Sequence, residues 1–138
     1  MQKDYLTIAL SKGTLLKPTL KLLQQAMLPV EGIEPDSRSM VFSYEDEAVK
    51  YIMCRPTDVP TYVEQGAADL GIVGKDVIVE QNKDVFEMAD LKFGYCRFVV
   101  AVPAEMKDIN LKELNYKRVA TKFPMVAENF FRSQGLQV

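Results

Sequence analysis

Residues 58–77, DVPTYVEQGAADLGIVGKDV, constrain the fold of this chain more than any other segment. They predict a short helix with Asp58 as its N-cap and Gly66 as its terminating glycine. The apolar run at residues 70–73 is long enough for one buried strand and too short for a helix. Gly74 then permits a sharp turn into a second helix. This order of elements is typical of an open α/β sheet, in which ligands bind at the carboxyl ends of the strands.

Strands and helices are predicted to alternate along the chain. The β-forming patterns predict strands at residues 5–10, 40–44, 49–54, 70–73, 85–90, 93–102 and 118–120, and the opening of another at 136–138. Further helices are predicted at 76–81, at 124–133, and from Thr14 until Pro29 ends it, with an apolar stripe of Leu16, Leu20, Leu23 and Met27. This alternation favours parallel α/β layers. A composition change at 91–94 predicts a hinge between a first lobe, residues 1–92, and a second lobe, residues 93–138.

Composition excludes several functional classes. The formal net charge is −2, so the chain has no global basic field that would favour nucleic acid. No apolar run approaches the roughly 20 residues that span a bilayer, and the apolar core at the amino terminus is too short for a secretory signal. The two cysteines, Cys54 and Cys96, are predicted to be reduced buried thiols, with a disulfide as the alternative. We therefore expect a cytoplasmic protein without a nucleic-acid or membrane partner.

The chain contains no histidine. Its absence excludes Ser-His-Asp and Cys-His catalysis and most zinc chemistry. Any reaction must therefore depend on carboxylates, lysine, arginine, backbone donors or a metal that arrives with the substrate.

Candidate anion-binding residues lie at the ends of predicted strands. Ser11, Lys12 and Gly13 form a short loop before a helix, where backbone donors and the Lys12 ammonium would converge. The alternative is an ordinary connection with a solvated lysine. Arg38 precedes one strand and Arg55 ends another, and the guanidinium fork suits diphosphate oxygens. For both arginines the alternative is a surface salt bridge.

Four blocks of the chain resemble ATP phosphoribosyltransferases, the enzymes that open histidine biosynthesis. Residues 9–14, 55–77, 90–101 and 118–124 are similar to the family patterns ALPKGR, RP-D-VPTYVE-GAADLGIVGKDV, DL-FG-CR-VVA and RVATK-P. The resemblance spans nearly the whole chain.

The resemblance implies a two-lobed α/β fold of the type II periplasmic-binding-protein kind. It also implies transfer of phosphoribose from phosphoribosyl diphosphate to N1 of ATP, with Mg²⁺ carried by the substrate and no metal-ligating residue in this chain. The implied catalytic residues are Lys12, Arg38 and Arg55. The implied substrate-binding residues are Ser11, Gly13, Thr14, Asp69, Gly71, Gly74 and Asp76, although Asp76 is first interpreted as a helix cap. The implied partner is a regulatory subunit resembling histidyl-tRNA synthetase, in a homo- or hetero-oligomer.

The chain departs from the family pattern in two places. Thr14 replaces the arginine that is common in the first loop, which would weaken one phosphate contact or shift it to Arg38. The later Ser/Thr-Gly-x-Thr loop that holds the phosphoribosyl phosphate is absent. We therefore expect a second lobe that is incomplete, in a truncated short-form subunit or a fragment of the long form, inactive alone.

Two other functions stay open. One is a non-catalytic two-lobed small-molecule-binding protein, which should carry an export signal. The other is a generic nucleotide-binding domain, against which the absence of both the GxGxxG fingerprint and the Walker-type lysine loop counts.

Overall fold

The computed structural model describes residues 4–138 and divides the chain between Gly94 and Tyr95 into two compact units. The first unit contains a four-stranded sheet with the strand order β2-β3-β1-β4. The strands are β1 (Leu6–Ser11), β2 (Val41–Tyr44), β3 (Val49–Cys54) and β4 (Leu70–Ile72). β1 pairs in parallel with both β3 and β4, whereas β2 is antiparallel to β3. The first four predicted strands are therefore confirmed, as is the α/β class.

Three helices belong to the first unit: α1 (Leu16–Gln25), α2 (Val59–Glu64) and α3 (Lys75–Gln81). Gly66, with a φ of 72°, follows α2 in the left-handed conformation, as predicted. α1 ends well before Pro29, because Met27 adopts a φ of 59°. Met27 is 91% exposed, so its predicted place in the apolar stripe of the helix is wrong.

Asp58 occupies the predicted N-cap position of α2, but its side chain makes no capping hydrogen bond. A short 3-10 turn at Pro56–Asp58 leads directly into the helix. The backbone of Asp58 is already helical, with φ −92° and ψ −21°, whereas a capping residue is normally extended. The prediction of a side-chain cap is therefore wrong.

The alternating side chains of β1 build a core on each face of the sheet. Ile8 and Leu10 face one way and pack in the cluster that α1 covers, which consists of Ile8, Leu10, Leu16, Leu23, Ile33, Val49, Tyr51 and Met53. Ala9 faces the other way and packs in the cluster that α2 covers, which consists of Ala9, Cys54, Val59 and Ala68. This alternation is the period of two that a strand imposes on its side chains. The first unit is thus a sheet covered by a helix on each face.

β4 is less buried than its sequence predicts. Leu70 is 44% exposed, and Gly71 is also exposed. β4 lies at the end of the strand order, so among the described residues only β1 pairs with it. The strand forms where it is predicted, but the prediction that it is buried is wrong. An edge strand is covered on fewer sides than a central one.

The second unit contains α4 (Pro124–Ser133) and short 3-10 turns at Ala104–Met106 and Leu111–Leu114. Its core is formed by Leu114, Phe131 and Leu136. The helix prediction at 124–133 is confirmed, and Gly135 follows the helix with a φ of 73°. No helix in the described part of the chain is long and apolar enough to cross a membrane.

Four predicted strands do not form. Residues 85–90, 93–102, 118–120 and 136–138 are outside any strand in the structure. Phe98, Val99 and Val100 are 53%, 72% and 45% exposed. β-forming side chains favour a strand only when a neighbouring backbone pairs with it, and no such partner is present within residues 4–138.

Candidate functional site

The carboxyl ends of β1, β3 and β4 share one edge of the sheet, because these strands are parallel. Ser11 lies opposite Cys54 at the ends of β1 and β3, and the Lys12 amide donates to the Cys54 carbonyl at 3.0 Å. Arg55 follows Cys54 directly. Lys12 and Arg55 are therefore neighbours on adjacent strands, which lie about 4.8 Å apart in a sheet.

Arg38 lies at the same edge of the sheet, just before the antiparallel strand β2 begins. β2 is antiparallel to β3, so it begins where β3 ends. The Met53 amide donates to the Met40 carbonyl at 2.7 Å, and Arg38 lies just before this contact. Because β2, β3 and β1 are neighbours in this order, Arg38, Arg55 and Lys12 follow one another along the same edge of the sheet. We call these three residues the cation row.

The cation row carries positive charge that no carboxylate among the described residues neutralises. Arg38 and Arg55 are exposed and Lys12 is half-buried. Within the described residues, none of the three forms an ion pair. The ion pairs that do form are Lys75–Glu87, Lys83–Glu64, Lys92–Asp90 and Arg132–Glu128. The alternative of surface salt bridges at Arg38 and Arg55 is therefore not observed, and the row suits an anionic ligand.

The loop between β1 and α1 contributes conformation and backbone donors. Gly13 has a φ of 106°, a conformation that other residues rarely adopt. Thr14 is exposed, and the start of α1 has no side-chain cap. The Ser11 hydroxyl is buried and donates to the Ile72 carbonyl at 3.2 Å, so it ties β1 to β4.

Gly74 and Asp76 form a second connection at this edge, between β4 and α3. Gly74 has an ordinary extended backbone, with φ −66° and ψ 144°, so the predicted need for conformational freedom is wrong. A Cβ at this position would instead collide with the Asp76 carboxylate. Asp76 Oδ1 accepts a hydrogen bond from the Val77 amide at 2.9 Å, in the first turn of α3. The N-cap position belongs to Gly74 and has no side-chain cap, so the predicted capping role of Asp76 is wrong. Asp76 instead bonds the amide of its neighbour inside the first turn, and Gly74 leaves room for its carboxylate.

Asp69 and Gly71 do not belong to this edge. Asp69 precedes β4, and its Oδ2 accepts from the Thr7 amide at 2.8 Å near the start of β1. A Cβ on Gly71 would lie 2.6 Å from Val59 and 2.9 Å from Val63, so this glycine permits close packing of α2 on β4. The structure thus places Asp69 at the amino edge and Gly71 under a helix, rather than beside the cation row.

Cys54 ends β3 at the carboxyl edge and has a buried thiol. Burial raises the pKa of its thiol to about 11, and the negative charge of Asp58 adds to this rise. The thiol therefore stays protonated near neutral pH. Both cysteines are free, as predicted, but Cys96 is exposed and not buried.

Lys75 is a further cation at this edge that was not among the predicted site residues. It directly follows Gly74 at the carboxyl edge and begins α3. Its position immediately after the glycine that ends a strand was the available signal. Its ammonium pairs with the Glu87 carboxylate. Among residues 4–138, no three His, Cys, Asp or Glu side chains group closely enough to hold a metal ion.

Comparison with known proteins decides the family. The model of the ATP phosphoribosyltransferase family matches residues 55–138. The chain belongs to this family. It is 77% identical over 138 residues to the ATP phosphoribosyltransferase of Syntrophomonas wolfei, and 52% identical over 145 residues to that of Desulfitobacterium hafniense. The whole chain is matched, and it spans 64% and 65% of the lengths of these two ATP phosphoribosyltransferases.

A solved structure shares the fold. It is described as the ATP phosphoribosyl transferase (HisG:HisZ) complex from Thermotoga maritima, and the similarity has a TM-score of 0.66 at 27% sequence identity. The match covers 96% of this chain and 61% of that chain. The predicted fold class, that of the periplasmic-binding-protein kind, is confirmed for this chain.

Proposed function

We propose that the full-length protein transfers phosphoribose from phosphoribosyl diphosphate to N1 of ATP, giving phosphoribosyl-ATP and diphosphate. Membership of the ATP phosphoribosyltransferase family supports this reaction. The observation that carries it in the structure is the cation row, Arg38, Arg55 and Lys12, which lies unneutralised at one edge of the sheet.

The proposed reaction is a displacement at the anomeric carbon. The N1 lone pair of adenine forms the new bond, and the electron pair of the breaking carbon–oxygen bond leaves with diphosphate. Positive charge therefore develops on the sugar and negative charge on the leaving group. We assign Lys12, Arg38 and Arg55 to stabilising the phosphate charge, since fixed cations act most strongly where charge develops. No histidine base is needed, because N1 already carries a free lone pair.

Backbone groups and a metal ion would complete the phosphate site. We assign the loop of Ser11, Gly13 and Thr14 to contacting phosphate through its backbone donors. We further propose Mg²⁺ carried by the substrate, since this ion is commonly bound by one or two carboxylates together with substrate phosphates. Bound Mg²⁺ would neutralise charge on the departing diphosphate.

The partner subunit, the form of the enzyme, its lobes and its location in the cell are also proposals. The name of the Thermotoga maritima structure includes a second protein, and this supports a regulatory subunit resembling histidyl-tRNA synthetase in a hetero-oligomer. The same name favours the short form of the enzyme over a fragment of the long form. We assign residues 1–92 and 93–138 to the first and second lobes, supported by the division after Gly94. We place the enzyme in the cytoplasm.

Arg55→Ala tests the function directly. The test protein is this chain extended with the C-terminal portion of the Syntrophomonas wolfei relative, assayed with ATP, phosphoribosyl diphosphate and Mg²⁺ by the absorbance of phosphoribosyl-ATP. Removing the Arg55 guanidinium should lower turnover by about tenfold or more, because one phosphate contact is lost. Arg132→Ala is the matched control, since that exposed arginine pairs with Glu128 on α4. Unchanged turnover in Arg55→Ala would remove the cation row from the mechanism, and binding without product would favour the non-catalytic alternative.

A further inference from the structure

Lys75 extends the cation row by one strand. β4 lies next to β1 in the sheet, and Leu10 is opposite Ile72. Counted along this register, Lys12 and Gly74 are at the same level, and Lys75 follows one residue later. The ends of all four strands of the sheet thus carry a cation at this edge: Arg38, Arg55, Lys12 and Lys75.

Lys75 differs from Arg38, Arg55 and Lys12 because its ammonium forms an ion pair with a carboxylate. Its ammonium pairs with Glu87, and the two side chains are 67% and 40% exposed. An ion pair this exposed contributes little to stability, because water screens both charges. Glu87 lies in the segment that leaves α3, and this segment is tied back to α2 where the Asp84 amide donates to Glu64 Oε1 at 3.1 Å.

We propose that Lys75 is a fourth phosphate-binding residue of the proposed active site and that Glu87 is an internal anion that competes with the substrate for it. The proposal rests on the function proposed above. A phosphate group carries more negative charge than a carboxylate and offers more acceptor oxygens to a lysine ammonium. A diphosphate held by Lys12 and Arg55 would therefore displace the weak Glu87 contact and recruit Lys75.

The two members of the pair should have opposite effects on binding. Lys75→Gln removes a cation from the row, so it weakens phosphate binding. Glu87→Gln removes the competitor and leaves the ammonium free, so it strengthens binding. A purely structural ion pair predicts something different, since both variants would then have the same small effect on folding and none on binding.

NMR titration of the 138-residue chain with inorganic diphosphate at low ionic strength tests this proposal. We expect the dissociation constant to rise about three- to tenfold in Lys75→Gln and to fall about two- to fivefold in Glu87→Gln, as for one charge-assisted contact. In the Lys75→Gln background, Glu87→Gln should have no further effect. Lys92→Gln is the matched control, since Lys92 also forms an exposed ion pair, with Asp90, in the first unit.

The outcomes separate this proposal from the function on which it rests. Weaker binding in Glu87→Gln, or unchanged binding in Lys75→Gln, overturns the role of Lys75. If Arg55→Ala loses diphosphate binding while Lys75→Gln keeps it, only this inference fails. If neither variant changes binding, the carboxyl edge is not the phosphate site and both proposals fail. Thermal unfolding of each variant shows whether the fold is intact.

Discussion

Tyr51 is the residue at which burial and polarity conflict most clearly. Its side chain is fully buried in the core that α1 covers, and its hydroxyl has no hydrogen-bond partner among the described residues. Its ring meets that of Tyr44 edge-on, with centroids 5.8 Å apart. Burial raises the pKa of Tyr51 from 10.0 to about 12, with smaller contributions from Tyr44 and Glu31. An unpartnered buried hydroxyl reduces stability, because it loses its contacts with water.

Tyr51→Phe should therefore stabilise the protein. We expect the free energy of unfolding at pH 7 to rise by about 1 kcal/mol, because the unpaired hydroxyl is removed while the ring is kept. The wild-type protein should also lose stability as the pH rises from 10 towards 12. In that range Tyr51 ionises in the unfolded protein but not in the folded protein. The free energy of unfolding of Tyr51→Phe should therefore fall less over this range than that of the wild-type protein. Urea unfolding at pH 7 and at about pH 10.5 measures both effects.

Tyr44→Phe is the control for this prediction. The Tyr44 hydroxyl donates to the Glu31 carbonyl at 2.7 Å, so its removal should lower stability by about 0.5–1.5 kcal/mol. A similar loss in Tyr51→Phe would mean that the buried hydroxyl has a partner.

At the scale of elements, close packing of α2 on β4 depends on one missing side chain. Gly71 lies in the middle of β4, opposite Ala9 of β1. A Cβ at this position would be 2.6 Å from Val59 Cγ1, closer than side chains tolerate. Val59 is 1% exposed, so it has little room to move. The small residues Gly71 and Ala9 thus let the helix approach the sheet, and the Gly74 connection to α3 follows from that position.

Gly71→Ala should lower the free energy of unfolding by about 1–3 kcal/mol, because the new methyl group overpacks this interface. Chemical denaturation measures the change. Val59→Ala removes the nearer of the two atoms that the methyl group would strike, the other being on Val63. The double variant should therefore be more stable than the sum of the two single changes predicts. Strict additivity would show that the methyl group fits without contact.

The elements also show which features the sequence could predict. The strands of the first unit formed as predicted because each of them finds its pairing partners within residues 6–72. The row formed by Lys12 and Arg55 followed from the rule that ligands bind at carboxyl ends of parallel strands. By the same rule Asp69 should lie at the opposite edge of the sheet, because it precedes its strand. It was nevertheless among the predicted substrate-binding residues. The early end of α1 depends on the φ of Met27, and no composition signal marks it.

At the scale of the whole molecule, the failed strand predictions share one cause. Residues 93–102 have the composition of a strand, but strand formation also requires a neighbouring backbone to which their amides can bond. The chain spans 64% of the Syntrophomonas wolfei relative. A pattern in one segment predicts the tendency to form a strand, whereas pairing depends on the rest of the protein. The positions of Lys12, Arg38 and Arg55 at one edge depend only on strands of the first unit, which pair with one another within residues 6–72.

Backbone pairing should appear when the chain is extended to the length of the relative. We expect the amides of residues 95–102 to exchange rapidly with solvent in the 138-residue chain, because no strand protects them. In the chain extended with the C-terminal portion of the Syntrophomonas wolfei relative, the same amides should become protected, and transferase turnover should appear together with this protection. The amides of β1 are the internal control, since β1 is paired on both sides in the 138-residue chain. Hydrogen exchange followed by mass spectrometry measures both segments in one experiment. Turnover by the 138-residue chain alone, or turnover of the extended protein without protection of residues 95–102, would contradict this account. The exposed apolar side chains Phe98 and Val99 would then be compatible with the proposed activity.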